Sequence, residues 1–268
     1  MIELFEQDTR TNDRQSSKGN QLKWENQGCW YKADYTGYEG LAEYVVSHLL
    51  QKSTLRDEEY VLYDLETIKY KSTVYNGVKS RNFLAKSWQI ITLERLFQNF
   101  YNESLYKSVF KIQDHKERLR FLVNQVERIT GLKNFGEYMN KLMTVDAFFL
   151  NEDRHTHNIA VLMNDEGVFD YCPMFDHGAG LLSDTTMDYP LEGNVEECLS
   201  RVQAKTVCSD FDEQLEISEV LYHSNLKFDF TKQDVAGLLE AVENYPKNVK
   251  DRVEKLLISQ IRKYEYLF

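Results

Sequence analysis

The hydrophobic pattern of the chain changes period near Ser87. Before that point apolar residues come in short runs broken by turn residues. After it they recur at helical spacing over long stretches. A chain patterned this way does not suit a uniform helix bundle or a uniform β-barrel. It predicts an α+β architecture in two lobes, a small β-rich N-lobe over residues 1–86 and a larger helical C-lobe over 87–268.

In the first part, "NQLKWENQGCWYKAD" alternates around a turn at Asn26-Gln27-Gly28, as a hairpin would. "YEGLAEYVVSHLL" predicts a helix with Leu41, Tyr44, Val45, His48 and Leu49 on one face, and "EYVLYDLETI" predicts a further strand. In the second part, "SWQIITLERLFQNFY" predicts one amphipathic helix. "DHKERLRFLVNQVERITG" predicts another, opened by an Asp114/Glu117 capping box and closed by Gly131. "NFGEYMNKLMTVDAFFL" predicts a third, and "IAVLMNDEGVFDYCPMF" a hairpin. "DVAGLLEAVENY" and "VKDRVEKLLISQI" end the pattern as two more helices.

Hydrophobic residues make up 42% of the 268, which suits a globular protein and argues against disorder. The 32 basic and 43 acidic residues leave a net charge of −11 with no basic run, which argues against nucleic-acid binding. Cys29, Cys172, Cys198 and Cys208 form no CxxC pair and read as free thiols in a reducing compartment. There is no secretory h-region, and no apolar run approaches the ~20 residues of a membrane span. The expectation is a soluble cytoplasmic protein with no membrane partner.

Between the third helix and the hairpin lies a polar island, Asn151 to Asn158, reading N-E-D-R-H-T-H-N. Asp153 and Asn158 stand in a D-x-x-x-x-N spacing. In phosphoryl transfer a carboxylate orients or accepts the acceptor hydroxyl proton and a nearby amide oxygen ligates Mg²⁺. A hairpin later, "MFDHG" offers Asp176 before Gly178, suited to hold a metal that bridges nucleotide phosphates. An ordinary polar loop could carry the same residues. A zinc reading is also open, because His155, His157, His177 and Asp153 are all ligand types for that ion.

Near the N-terminus, "SSKGNQLKW" sets hydroxyls, a lysine and Gly19 ahead of a strand, where backbone N–H groups could approach phosphates. Lys32 ends a strand among aromatics, and Glu43, eleven residues on, lies on the following helix as a candidate ion-pair partner. A solvated Glu and a snorkelling Lys would fit the same pattern. Asp146 sits on the mostly apolar helix before the island, where it could accept hydrogen bonds from the loop.

Together these elements resemble the HipA-like serine/threonine kinases, a bacterial branch of the protein-kinase-like fold. The island matches that family's N-x-D-R-H-x-x-N signature through Asn151, Asp153, Arg154, His155 and Asn158. "SSKGNQLK" matches its S-x-x-G-x-Q-x-K loop through Ser16, Gly19, Gln21 and Lys23. "YKADYTGYEGLAEY" is similar to its nucleotide-lysine strand and helix, and "PMFDHG" to its metal-aspartate strand. The resemblance implies ATP and Mg²⁺ as cofactors, Asp153 as catalytic base, and Asn158 and Asp176 as metal ligands. Lys32 would contact the phosphates and pair with Glu43, and His155 would lie in the nucleotide site. Ser16, Ser17, Lys18, Gly19, Gln21 and Lys23 would form the phosphate loop, with Ser16 open to autophosphorylation that switches the enzyme off.

The implied acceptor is a protein serine or threonine, with an antitoxin or other regulatory protein as a further partner in a bacterial cytoplasm or, after delivery, in a host cell. Relative to full-length HipA toxins the sequence begins almost at the phosphate loop, which puts antitoxin docking in question. A catalytically silent kinase-like binding module and a kinase of a small molecule or lipid remain alternatives. Ser183, Thr185 and Thr186, in the segment after the metal aspartate, are candidate regulatory sites.

Overall fold

The structure is a computed structural model that describes residues 1–9 and 21–268. Ser16, Ser17, Lys18 and Gly19 of the expected phosphate loop lie outside the described residues. In chain order come β1 (Ile2–Leu4), β2 (Lys23–Asn26), β3 (Cys29–Ala33), α1 (Glu39–Leu50), β4 (Asp64–Tyr70) and β5 (Thr73–Arg81). Then follow β6 (Trp88–Thr92), α2 (Leu93–Tyr101), α3 (Leu105–Phe110), α4 (His115–Thr130), α5 (Phe135–Phe149), β7 (Ala160–Asn164) and β8 (Phe169–Tyr171). The last are α6 (Val195–Leu199), α7 (Phe211–Tyr222), α8 (Lys232–Glu240) and α9 (Lys247–Lys263). Among the described residues no helix is long and apolar enough to cross a membrane.

By contacts the chain forms two units. The first comprises Met1–Phe83, Phe175–Val202 and Lys227–Phe268, and the second Leu84–Met174 and Gln203–Leu226. The boundary expected between 86 and 87 lies close to the first passage between units, but the first unit also includes two later segments. Specific pairings explain their return. Gly37 bridges Asp184 and Ser53 bridges Phe228, the Asn76 amide donates to the Asn244 carbonyl, and the Tyr245 hydroxyl donates to Asp34. Hydrophobic period reports local conformation and is blind to such returns.

In the first unit the strands form one sheet in the order β1-β4-β5-β3-β2, with β1 parallel to β4 and the other pairs antiparallel. The expected hairpin is present, and Gln27 and Gly28 make its turn with φ of 49° and 77°. Leu4, Trp24, Tyr31, Ala33 and Ile68 pack together as one core cluster. Val61, Tyr63 and Val78 form another, against which Tyr44 of α1 packs. Because side chains alternate along a strand, Tyr31 and Ala33 take one face of the sheet and Lys32 the other. Helix α1 buries far more than the predicted stripe, including Ala42, Glu43, Val46 and Leu50, as a helix apolar nearly all round must.

The second unit holds a three-stranded antiparallel sheet, β6-β7-β8, and the helices α2–α5 and α7. Here one expectation is corrected. "SWQIITLERLFQNFY" is not a single helix, because Trp88–Thr92 pairs with β7 from Trp88↔Asn164 to Thr92↔Ala160. The β-branched run Ile90, Ile91, Thr92 favours the strand, and the Thr92 side chain then caps α2 by accepting from the Arg95 N–H. Asp114 caps α4 by accepting from the Glu117 N–H at 2.9 Å, and Gly131 ends that helix at φ 74°.

Strand β5 escapes the sequence pattern because its Asn76-Gly77 pair reads as a turn. The glycine is there for another reason. A Cβ at Gly77 would meet the Lys32 carbonyl oxygen at 2.1 Å, so β3 leaves no room for a side chain. Gly77→Ala is therefore expected to destabilise the protein by about 2 kcal/mol, read as a lower midpoint in urea unfolding, whereas substitution of exposed Val74 in the same strand should have little effect.

Candidate functional site

In the first unit, Lys32 leaves β3 with its ammonium between two carboxylates. Its Nζ lies 2.6 Å from Glu43 Oε1 on α1 and 2.7 Å from Asp176 Oδ1. The ring of Tyr63 lies 5.0 Å from the same nitrogen. The other oxygen of Glu43 accepts from the His177 N–H at 2.9 Å, so one buried glutamate ties strand, helix and the Asp176-His177 turn together. Burial works to lower the Lys32 pKa, but Asp176 and Glu43 outweigh it and hold the ammonium well above its ordinary value. The two acids are not equivalent: the Glu43 side chain is 1% exposed and that of Asp176 is 21% exposed. Glu43 is thus committed to the pair, while Asp176 reaches solvent.

Asp176 has φ 64°, a left-handed conformation that a non-glycine residue adopts at some cost. Gln21 and Lys23 also come to this strand. The Gln21 side chain donates to the Ala33 carbonyl at 3.0 Å, and Lys23 pairs directly opposite Lys32. Directly opposed residues share a sheet face, so Lys23 and Lys32 stand side by side on it.

In the second unit the polar island is a loop built on a buried ion pair. α5 ends at Leu150 in the left-handed conformation, φ 59°, and the chain turns back so that Arg154 donates to Asp146 from Nε at 2.9 Å and Nη2 at 3.2 Å. Asp146 is fully buried and also accepts from the Asn151 amide at 2.8 Å. Burial pushes its carboxyl pKa up, and Arg154 and Asn151 pull against that. Arg154 Nη1 donates to the Asn158 carbonyl at 3.0 Å. The Asn158 amide nitrogen in turn donates to Asp153 Oδ2 at 2.9 Å and to the Asp153 carbonyl at 2.8 Å. The loop thereby fixes Asp153 and Asn158 side by side with the amide oxygen turned from the carboxylate.

His155 Nε2 lies 3.6 Å from Asp153 Oδ1, and burial holds the imidazole below its ordinary pKa. The zinc set of His155, His157, His177 and Asp153 is not the group of converging metal-ligand atoms found among the described residues. Of the three candidate regulatory hydroxyls, Ser183 is buried and donates to the Gly178 carbonyl, while Thr186 is exposed and donates to the Thr36 carbonyl at 2.6 Å. Sequence reasoning missed the residues that brace the loop. Glu94 accepts from the Thr156 hydroxyl at 2.8 Å, and the Thr206 hydroxyl donates to the Arg154 carbonyl at 2.6 Å. Both lie about fifty or more positions from their partners, beyond the reach of any local pattern.

No family model and no curated protein matches the chain. Among solved structures it is similar to CtkA, a proinflammatory kinase of Helicobacter pylori, with 13% identity over 98% of this chain and 95% of that one and a TM-score of 0.63. A weaker similarity, with a TM-score of 0.49, 12% identity and coverage of 96% and 67%, is to HipA of Shewanella oneidensis MR-1 in its complex with HipB and operator DNA. The likeness to CtkA is one of fold. The chain has the α+β, two-lobed, kinase-like fold that the motifs led us to expect.

The Asp146–Arg154 pair makes a direct prediction. Arg154→Met leaves a buried carboxylate without its cation and should cost about 3–5 kcal/mol, measured by urea unfolding. The Asp146→Leu/Arg154→Met double variant should recover part of that loss, because no uncompensated charge remains.

Proposed function

We propose that the chain is an ATP- and Mg²⁺-dependent phosphotransferase, a HipA-like protein serine/threonine kinase. The observation that carries this reading is the Lys32 ammonium clasped by Glu43 and Asp176. A lysine so placed keeps its charge and a fixed direction, the two properties needed to contact nucleotide phosphates. Two carboxylates against one ammonium leave a local excess of negative charge, and Asp176 is the more exposed of the acids. Its carboxylate is the hard oxygen donor type that a small divalent cation prefers.

Each residue then has a role. Lys32 contacts the phosphates and Glu43 holds it in place. The resemblance assigns Asp176 and Asn158 as the residues that would hold the metal, which would supply charge neutralisation for the transferred phosphoryl group. Asp153 accepts the proton of the acceptor hydroxyl, and its hydrogen bond from Asn158 sets its orientation. His155 lies beside Asp153 and borders the nucleotide site. The segment Ser16, Ser17, Lys18, Gly19, Gln21 and Lys23 is the phosphate loop, with Ser16 as the site of autophosphorylation. The acceptor is a serine or threonine of a protein, in a bacterial cytoplasm or, after delivery, in a host cell. In this reading an antitoxin or other regulatory protein is a further partner.

Intact mass spectrometry tests the reading. Wild-type protein incubated with ATP and Mg²⁺, after phosphatase treatment, should gain phosphate, mapping to Ser16 or a neighbour. Asp153→Asn should reduce the rate by about 10²–10⁴-fold while still binding nucleotide. Phosphate found only on an added metabolite or lipid would replace the protein acceptor with that substrate class. Nucleotide binding with no transfer to itself, a bacterial lysate or those additives would make the chain a silent binding module.

A further inference from the structure

The second unit gathers a set of donors that the kinase reading does not use. His115 opens α4, Glu213 lies in the first turn of α7, and Cys208 stands just ahead of α7. One ligand atom from each residue lies within 4.8 Å of the others. His115 Nδ1 and Glu213 Oε1, from segments 98 positions apart, approach to 2.6 Å. Cys208 is 5% exposed, whereas the side chains of His115 and Glu213 are 34% and 48% exposed. The cluster therefore has a fixed thiol at its base and two adjustable ligands at its rim.

We propose that His115, Cys208 and Glu213 form a Zn²⁺ site. Imidazole nitrogen, thiolate sulfur and carboxylate oxygen are the three ligand types this ion takes, at bonds of about 2.0–2.3 Å. A tetrahedral ion at such distances needs ligand atoms roughly 3–4 Å apart, which rotation of the two half-exposed side chains supplies. The thiolate selects against Mg²⁺ and Ca²⁺, which prefer oxygen. Three protein ligands leave the fourth position to water.

The Cys208 thiol donates to the Asp210 carbonyl at 3.3 Å and burial pushes its pKa up to about 11, so the ion must displace its proton to bind. Arg118 is engaged elsewhere, donating from Nε to the Ile112 carbonyl and from Nη1 to the Val207 carbonyl, each at 2.7 Å. The site also has a purpose in the fold. The segment 203–208 supports the polar loop: the Gln203 N–H donates to Glu152 at 3.1 Å, and the Thr206 hydroxyl donates to the Arg154 carbonyl. An ion on Cys208 and His115 clips that segment to the start of α4 and braces the loop from behind.

The test uses the full chain freed of metal by a chelator and titrated with Zn²⁺ against a chromophoric competitor. Wild type should take up one equivalent, at least about tenfold more tightly than His115→Ala or Cys208→Ser, and Zn²⁺ should raise the wild-type melting temperature but not that of Cys208→Ser. Co²⁺-loaded wild type should show a thiolate-to-metal charge-transfer band, a readout independent of whether the variants fold. A wild type that holds no Zn²⁺ against the competitor, full-strength binding in the His115→Ala/Cys208→Ser double variant, or a Co²⁺ adduct without that band would each overturn the proposal.

Discussion

One lysine ammonium held between two carboxylates organises the first unit. Lys32 is brought to its place by the β2–β3 hairpin, Glu43 by a helix buried on nearly all sides, and Asp176 by a turn strained into the left-handed region. Removing Lys32 leaves the buried Glu43 carboxylate without its cation, and an uncompensated buried charge costs several kcal/mol. The cluster is therefore a structural fixture and a chemical one together. The glycine at 77 belongs to the same arrangement, since β5 must lie against the backbone of Lys32 with no side chain between.

The second unit solves a similar problem differently. Its polar loop emerges from an apolar helix and would be adrift without an anchor. The buried Asp146–Arg154 pair supplies one, and Arg154 passes the constraint on by donating to the carbonyl of Asn158. Asn158 then fixes Asp153. The chain of contacts runs from a fully buried carboxylate to a nearly buried one, each orienting the next. Outer residues such as Glu94 and Thr206 brace the loop, through the Thr156 hydroxyl and the Arg154 carbonyl.

How much of this was legible in the sequence depends on whether the signal was local. The hairpin at Gln27-Gly28, the cap at Asp114 and the helices with apolar stripes could be read because each is set within a few residues. Lys32 with Glu43, and Asp153 with Asn158, could be paired because their spacing is short and chemically suggestive. Helix α7 could not be read, since its buried stripe of Phe211, Gln214, Leu215 and Ser218 is half polar. Strand β5 was masked by Asn76-Gly77. The return of residues 175–202 and 227–268 to the first unit rests on pairings such as Asn76 with Asn244, 168 positions apart, which no local pattern encodes. The donors His115, Cys208 and Glu213 were invisible for the same reason.

The claim on which the account rests is that Lys32 and Asp176 form the nucleotide- and metal-binding centre. It is tested most directly by titrating wild type, Lys32→Met and Asp176→Asn with ATP, with and without Mg²⁺, by calorimetry. Wild-type affinity should rise with Mg²⁺, Asp176→Asn should lose that dependence, and Lys32→Met should bind at least about tenfold more weakly in both conditions. Wild-type binding indifferent to Mg²⁺ and unchanged by either substitution in folded protein would contradict it.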